Sequence, residues 1–316
     1  MALIPEQTAL IFPGQGSQEL GMGAALSAAY PVARQAFEQA DEWLDLPLSR
    51  ISWEGPEAEL NETTNTQPAL MVHSVAALRV FQQIYPDFRP AYLAGHSMGE
   101  LSALVACEAL PYKDALRLVR RRGELMKRAG DLNPGGMAAI IGLDIPTLEQ
   151  VCSQASTPDE IVQVANDNCP GQVVISGARP ALERAVQLAQ EAKARKTVVL
   201  AVSIAAHSPL MRHAQQDFSL AVDAAPVAAP RIPIIANITA RPMRSPQEIR
   251  DDLQAQLTSR VRWTESVQEM VSQGINTFIE LGSSSVLCGL IKRIDRQVKC
   301  LSLGSPADFD ALSALS

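Results

Sequence analysis

Gly95-His96-Ser97-Met98-Gly99 follows a short apolar run, Tyr92-Leu93-Ala94, and precedes a helical pattern. A G-x-S-x-G in that setting is a nucleophile elbow. Glycines on both sides permit a tight strand-to-helix turn, which lifts the serine hydroxyl out of a sheet and leaves N–H groups at the helix start free for an oxyanion. A serine nucleophile needs a base, and the chain holds four histidines: His73, His96, His207 and His213. His73 lies in an apolar helical pattern and reads as a core residue, and His213 lies in a polar helix. His96 shares the strained turn of the serine, which makes base geometry awkward. His207 remains. It follows a strand and precedes Ser208-Pro209, an N-cap with a first-turn proline, and a helix start favours its neutral, proton-accepting form.

The helix expected over residues 111–128 carries a third candidate. At about 100° per residue, Ala115, Val119, Arg122 and Met126 share an arc of about 60°, with Leu118 close by, while Lys113, Arg117, Arg120, Arg121, Lys127 and Arg128 point away. A guanidinium on the apolar face must be paired, because an unpaired buried charge is strongly unfavourable. Its partner is either a core Asp or Glu, or the carboxylate of a ligand held by both prongs of the fork. Near the N-terminus, Phe12-Pro13-Gly14-Gln15-Gly16-Ser17-Gln18 imitates a dinucleotide loop but has Glu19 where the third glycine belongs, so a pyrophosphate would be repelled. That loop reads better as the source of a second oxyanion donor, the backbone N–H of Gln15.

These residues need a scaffold, and the apolar runs supply one. Strands expected at 8–12, 91–95, 233–238, 277–281 and 298–303 alternate with helices at 20–42, 69–84, 99–128 (two), 247–257, 264–273 and 285–294, the rhythm of a parallel α/β sheet. Between them the order changes to strand 137–143, helix 145–154, strand 160–166, strand 172–176, helix 180–194 and strand 197–204. That βαββαβ order is the pattern of a ferredoxin-like unit, set off by the breaker run 130–136. The expected organisation is an α/β-hydrolase-like main domain with a parallel sheet, residues 1–133 and 205–316, and an inserted ferredoxin-like subdomain, residues 134–204. The alanine-rich stretch 222–230 reads as a linker.

Composition agrees. The chain has 316 residues, 47% hydrophobic and 19% charged, which excludes a largely disordered protein. A net charge of −7 offers no general attraction to nucleic acid or to an acidic membrane. The most apolar run, 198–206, is about half of the roughly 20 residues a membrane span requires. The N-terminus lacks the basic flank of a signal peptide. Five scattered cysteines, Cys107, Cys152, Cys169, Cys288 and Cys300, suggest neither a disulfide framework nor a zinc site, and fit a reducing cytoplasm.

Taken in order, FPGQGSQ (12–18), GHSMGE (95–100), Arg122-Gly123, NDNCPGQVVISG (166–177), Ala206-His207-Ser208 and Gln256-Leu257 before Trp263-Thr264 resemble the malonyl-CoA:acyl carrier protein transacylases of fatty acid synthesis, and more widely the acyltransferase domains of polyketide synthases. The resemblance covers nearly the whole chain. It implies Ser97 as nucleophile, His207 as base and the backbone carbonyl of Gln256 in place of an acidic triad member. It further implies an oxyanion hole from the N–H groups of Gln15 and Met98, Arg122 as a clamp for the malonyl carboxylate, and His96, Asn168 and Ala206 along the substrate pocket. No cofactor is implied: the coenzyme A thioester is substrate, and phosphopantetheine arrives on the acyl carrier protein. The expected partners are malonyl-CoA and that carrier, with no nucleic acid and no membrane, and the family expectation is a cytoplasmic monomer.

An acidic carrier would need local basic surface on this acidic chain. Arg117, Arg120, Arg121, Lys127 and Arg128, with Lys193, Arg195 and Lys196, are the candidates. Two positions depart from the family pattern. Ala206, where serine or phenylalanine is usual, implies a roomier pocket open to malonyl or methylmalonyl groups. Gly282-Ser283-Ser284-Ser285 replaces a glycine-proline-glycine-lysine run, for which a local change rather than lost activity is expected. A serine hydrolase with the same elbow is the first rival. Arg122 argues against it, as does the lack of an evident acid between Ser97 and His207. A non-catalytic carrier-docking subunit, which the presence of Ser97, His207 and Arg122 together argues against, is the second.

Overall fold

The computed structural model describes residues 3–315, and its strands in chain order are β1 (Thr8–Phe12), β2 (Tyr92–Gly95), β3 (Gly135–Ile141), β4 (Val162–Cys169), β5 (Gln172–Ala178), β6 (Lys196–Val199), β7 (Ile234–Ile235), β8 (Pro242–Met243), β9 (Thr277–Leu281) and β10 (Lys299–Leu303). The larger sheet has the order β10-β9-β1-β2-β7-β8 and is parallel except for β8, which runs antiparallel to β7 at the edge. All five residues of β1 are buried, as a strand covered on both faces requires. Leu10 and Phe12 join the apolar cluster on one face, and Ala9 and Ile11 the cluster on the other, the alternation a strand imposes. Pairing β1 with β2 places Phe12 opposite Gly95, so the glycine loop and the elbow leave the sheet side by side at its carboxyl edge.

The smaller sheet is antiparallel with the order β4-β5-β3-β6, and the helices Ile145–Ala155 and Arg179–Glu191 complete the expected βαββαβ succession. It has its own apolar cluster, centred on Ile140, Leu148, Ile175 and Leu182. The far end of β4 reaches the larger unit: Asp167 N–H donates to the Val261 carbonyl at 2.9 Å, and Val261 N–H to the Ala165 carbonyl at 2.8 Å. Asn168, next along β4, is thereby carried toward the elbow.

Several elements differ from the sequence expectation. The strand expected to run to residue 204 ends at Val199, and residues 200–206 lead irregularly to His207. The strand at 233–238 shrinks to Ile234–Ile235, because Asn237 turns its amide back to the elbow. The single helix at 20–42 divides into Ala24–Ala29 and Pro31–Leu44, with Pro31 opening the second. Two short helices, Leu48–Glu54 and Glu57–Asn61, and a helix at Pro306–Leu315 had no clear periodic signal. The cysteine expectation also fails, since Cys288 and Cys300 form a disulfide. Spacing could not reveal it: the crossover between adjacent strands β9 and β10 brings the first turn of helix Val286–Ile294 beside β10, with Cα atoms 5.3 Å apart. Cys107, Cys152 and Cys169 are free and buried. Among the described residues no helix is long and apolar enough to cross a membrane.

Candidate active site

Ser97 sits between β2 and the helix Gly99–Ala106 with φ of 53°, a left-handed conformation that a side-chain-bearing residue adopts at a cost of roughly 1 kcal/mol or more. The flanking glycines are steric necessities. A Cβ on Gly95 would lie 2.1 Å from the Gly99 carbonyl, and one on Gly99 would lie 2.3 Å from the Phe12 carbonyl oxygen. Asn237 fastens the turn from the end of β7: its Oδ1 accepts the Ser97 N–H at 2.8 Å, and its Nδ2 donates to the Gly95 carbonyl at 2.8 Å. With the Ser97 N–H so occupied, the N–H groups of Met98 and Gln15 have no acceptor among the described residues and can serve an oxyanion.

His207 faces the serine. Its backbone is also left-handed, with φ of 57°, and the Ser208 side chain accepts the Leu210 N–H to start the turn Pro209–Met211, as the N-cap reading requires. The Ser97 hydroxyl donates to His207 Nε2 at 2.8 Å, and His207 Nδ1–H donates to the carbonyls of Gln256 at 2.9 Å and Ser259 at 3.2 Å. Gln256 is the last residue of helix Pro246–Gln256, where carbonyls lack intrahelical partners, so the backbone itself fixes the imidazole tautomer. From the smaller unit, Gln163 Nε2 donates to the carbonyls of His207 (2.8 Å) and Thr258 (3.1 Å), which clips both loops.

Burial, with the positive charge of Arg122 second, lowers the His207 pKa from 6.5 to about 3. The base is therefore neutral, and competent, far below the pH at which a free imidazole would charge. We expect kcat/KM for acyl transfer to show no half-point near pH 6.5 on its acid side, falling only as pH approaches about 4 to 3. A pH–rate profile checks this, and a limb at the ordinary histidine value would contradict the burial argument.

Arg122 is 1% exposed on the apolar face of the helix Tyr112–Leu132, as its periodicity predicts. Its Nη1 donates to Gln67 Oε1 (2.9 Å) and to Met126 Sδ (3.3 Å), and its Nη2 to Gln256 Oε1 (2.8 Å) and Ser97 Oγ (3.0 Å). None of these partners is a carboxylate, and Nε meets no hydrogen-bond partner among the described residues. Burial lowers its pKa to about 10, which leaves it charged at neutral pH. A desolvated cation with an unused N–H, 3.0 Å from the serine hydroxyl, has the chemistry to receive an anionic group on an acyl chain.

His96 and Asn168 also meet, the imidazole Nε2–H donating to Asn168 Oδ1 at 2.9 Å, while Trp263 stands edge-on to the His96 ring at 5.7 Å. Ala206 is half-buried beside His207. Gln67, Asn237 and Gln163 were not singled out in the sequence. Their partners lie 55, 140 and 44 residues away, so no local pattern marks them. The loop at Gly282 is nearer the site than expected, since a Cβ there would lie 3.2 Å from Pro13 of the glycine loop.

Residues 9–303 match the model of the acyl transferase domain family. The chain is 43% identical over 304 residues, 96% of its length and 95% of the relative's, to a malonyl CoA-acyl carrier protein transacylase of Bacillus subtilis. The chain belongs to the malonyl-CoA:acyl carrier protein transacylase family. A crystal structure of an acyl carrier protein S-malonyltransferase from Vibrio cholerae superposes with a TM-score of 0.94 at 42% identity, covering 97% of this chain and 99% of that one. A malonyl-transacylase solved in complex with a type II polyketide synthase acyl-carrier protein superposes with a TM-score of 0.94 at 39% identity, covering 98% and 100%. The hydrolase rival is not favoured.

Proposed function

We propose that the chain moves a malonyl group from coenzyme A to the phosphopantetheine thiol of an acyl carrier protein, in fatty acid synthesis or a polyketide line, through a malonyl-serine ester. Ser97 Oγ attacks the thioester carbonyl as its proton passes to His207 Nε2. The N–H groups of Gln15 and Met98 hold the tetrahedral oxyanion, and Gln256 and Ser259 carbonyls stabilise the imidazolium. Collapse breaks the C–S bond, and the departing thiolate of coenzyme A takes the proton from His207. The carrier thiol then repeats the sequence on the serine ester, returning the proton to Ser97. Arg122 holds the malonyl carboxylate throughout, with His96, Asn168 and Ala206 lining the acyl pocket. The small side chain of Ala206 leaves methylmalonyl as a second acyl group. Base, oxyanion donors and cation are groups of one chain, so the reading asks for no resident cofactor and no second copy.

The observation that carries this reading is the Arg122 guanidinium, buried without a carboxylate 3.0 Å from Ser97 Oγ. It is tested by mixing enzyme with malonyl-CoA and following coenzyme A. A burst equal to the enzyme, absent in Ser97→Ala and followed by faster turnover when carrier is added, is expected. Discharge of the serine ester by water at a rate the carrier leaves unchanged would make the protein a thioesterase.

We also read the chain as an α/β-hydrolase-like unit, 1–133 with 205–316, and a ferredoxin-like unit, 134–204, a reading supported by the separate apolar clusters. The location we propose is the cytoplasm, where the Cys288–Cys300 pair would stand reduced; no group touching Ser97, His207 or Arg122 belongs to it. For carrier docking, four of the candidate cations are engaged by acids of the chain itself: Arg120 and Arg121 by Glu124, Lys127 by Glu62, and Arg128 by Asp217. Lys193, Arg195 and Lys196 are exposed and join no ion pair among the described residues, which makes them the better surface for an acidic partner. Reversing all three to glutamate should raise the KM for carrier roughly tenfold at low salt and leave the coenzyme A burst unchanged. Steady-state kinetics against carrier concentration decide it, and an unaltered KM would dismiss the patch.

A further inference from the structure

Beneath the elbow lie two carboxyl groups that the transfer chemistry does not use. Glu100, in the first turn of helix Gly99–Ala106, is fully buried; its Oε1 accepts the Asn237 N–H at 3.0 Å and its Oε2 accepts from the Gln256 side-chain amide. Asp252, buried in helix Pro246–Gln256, accepts the next N–H, that of Ile238, with Oδ1 at 3.1 Å. Consecutive backbone donors thus hold the two carboxyls within hydrogen-bond reach of each other. Asp252 Oδ2 is buried and meets no N–H or O–H donor among the described residues. Neither carboxyl joins a salt bridge among the described residues. The other charged or titratable groups in this network are Arg122, reached through the Gln256 side chain, and His207, reached through the Gln256 carbonyl.

Two adjacent carboxylates in such an interior do not both ionise, and a buried acceptor without a donor is satisfied when its neighbour carries a proton. We propose that Glu100 and Asp252 share one proton, and that this proton keeps Glu100 neutral so that Arg122 meets the substrate carboxylate as an uncompensated cation. Burial, and Asp252 beside it, raise the Glu100 carboxyl well above the usual carboxylate range. The negative charge then rests on Asp252, on the far side of Glu100 in the chain Asp252–Glu100–Gln256–Arg122. An ionised Glu100 would instead stand one amide away from the guanidinium and compete with the substrate for it. Asp252 is thus a positioning residue for specificity, acting through a proton, and the inference rests on Arg122 as the malonyl clamp.

The test is Asp252→Asn, which removes the negative charge that holds the proton on Glu100. The KM for malonyl-CoA should rise on the order of tenfold with kcat within about threefold, and acetyl-CoA kinetics should be unchanged. Adding Glu100→Gln, which cannot ionise, should return the malonyl KM toward the parent value. Equal losses for both thioesters, unrescued by Glu100→Gln, would reduce the pair to packing and overturn the inference. Infrared difference spectra of the parent protein against Glu100→Gln read the proton without substrate. A protonated-carboxyl band at neutral pH is expected, and its absence overturns the proposal whatever the enzyme transfers. Failure of the clamp itself appears separately, as an Arg122→Ala variant that does not discriminate malonyl from acetyl.

Discussion

Arg122→Ala should lower kcat/KM for malonyl transfer by roughly two to four orders of magnitude, a loss of about 3 to 5 kcal/mol of transition-state stabilisation, while acetyl transfer falls much less, so that the preference narrows or inverts. The reasoning starts from the guanidinium's surroundings. Its partners are two amide oxygens, a thioether and the nucleophile, all neutral, so its charge is met in full only when a ligand supplies a carboxylate. An acetyl group cannot supply one. Some loss will be common to both substrates, because removing the fork leaves Gln67 Oε1 and Gln256 Oε1 without a donor, and Gln256 also orients His207. The informative quantity is therefore the ratio of the two kcat/KM values in variant and parent. A ratio unchanged within error would mean that Arg122 supports the fold and does not read the acyl chain. Arg122→Lys should recover only part of the preference, since one ammonium cannot reach the four acceptors that the planar fork spans.

The residues of the candidate site were legible in the sequence where the physics is local. The elbow is five residues between a strand and a helix, and Arg122 declares itself by helical period against a row of exposed cations. His207 followed by elimination, helped by the N-cap Ser208 and Pro209. Gln256 was legible only through family resemblance, because a backbone carbonyl leaves no mark on residue type. What stayed hidden is the polar scaffold under the site. Glu100, Asn237 and Asp252 come from three separate segments, and their polarity in buried positions is explained only by one another. The same holds for the fold: parallel strands with full apolar runs were found, whereas the two-residue β7, the antiparallel edge β8 and the disulfide depend on contacts that sequence spacing does not encode.

Ser97→Ala and His207→Ala should each reduce malonyl transfer by about 10⁴-fold or more, and the double variant should be no worse than the poorer single one. The expectation follows from one shared proton. The Ser97 hydroxyl donates to His207 Nε2 at 2.8 Å, and no other nitrogen base touches it, so a serine without the imidazole is an ordinary alcohol and an imidazole without the serine has nothing to deprotonate. The guanidinium cannot replace the base. Arg122 donates to Ser97 Oγ at 3.0 Å, and its pKa near 10 keeps it a proton donor throughout the working range. Thioester binding should survive in all three variants, because Arg122 and the N–H groups of Gln15 and Met98 stay in place and Ser97→Ala costs the guanidinium only its contact with Ser97 Oγ. Quenched-flow measurement of coenzyme A release, with equilibrium binding of malonyl-CoA beside it, separates the two effects. Losses that multiply in the double variant would mean that the residues act independently, and the hydrogen-bonded pair would then be an architectural contact with the chemistry elsewhere.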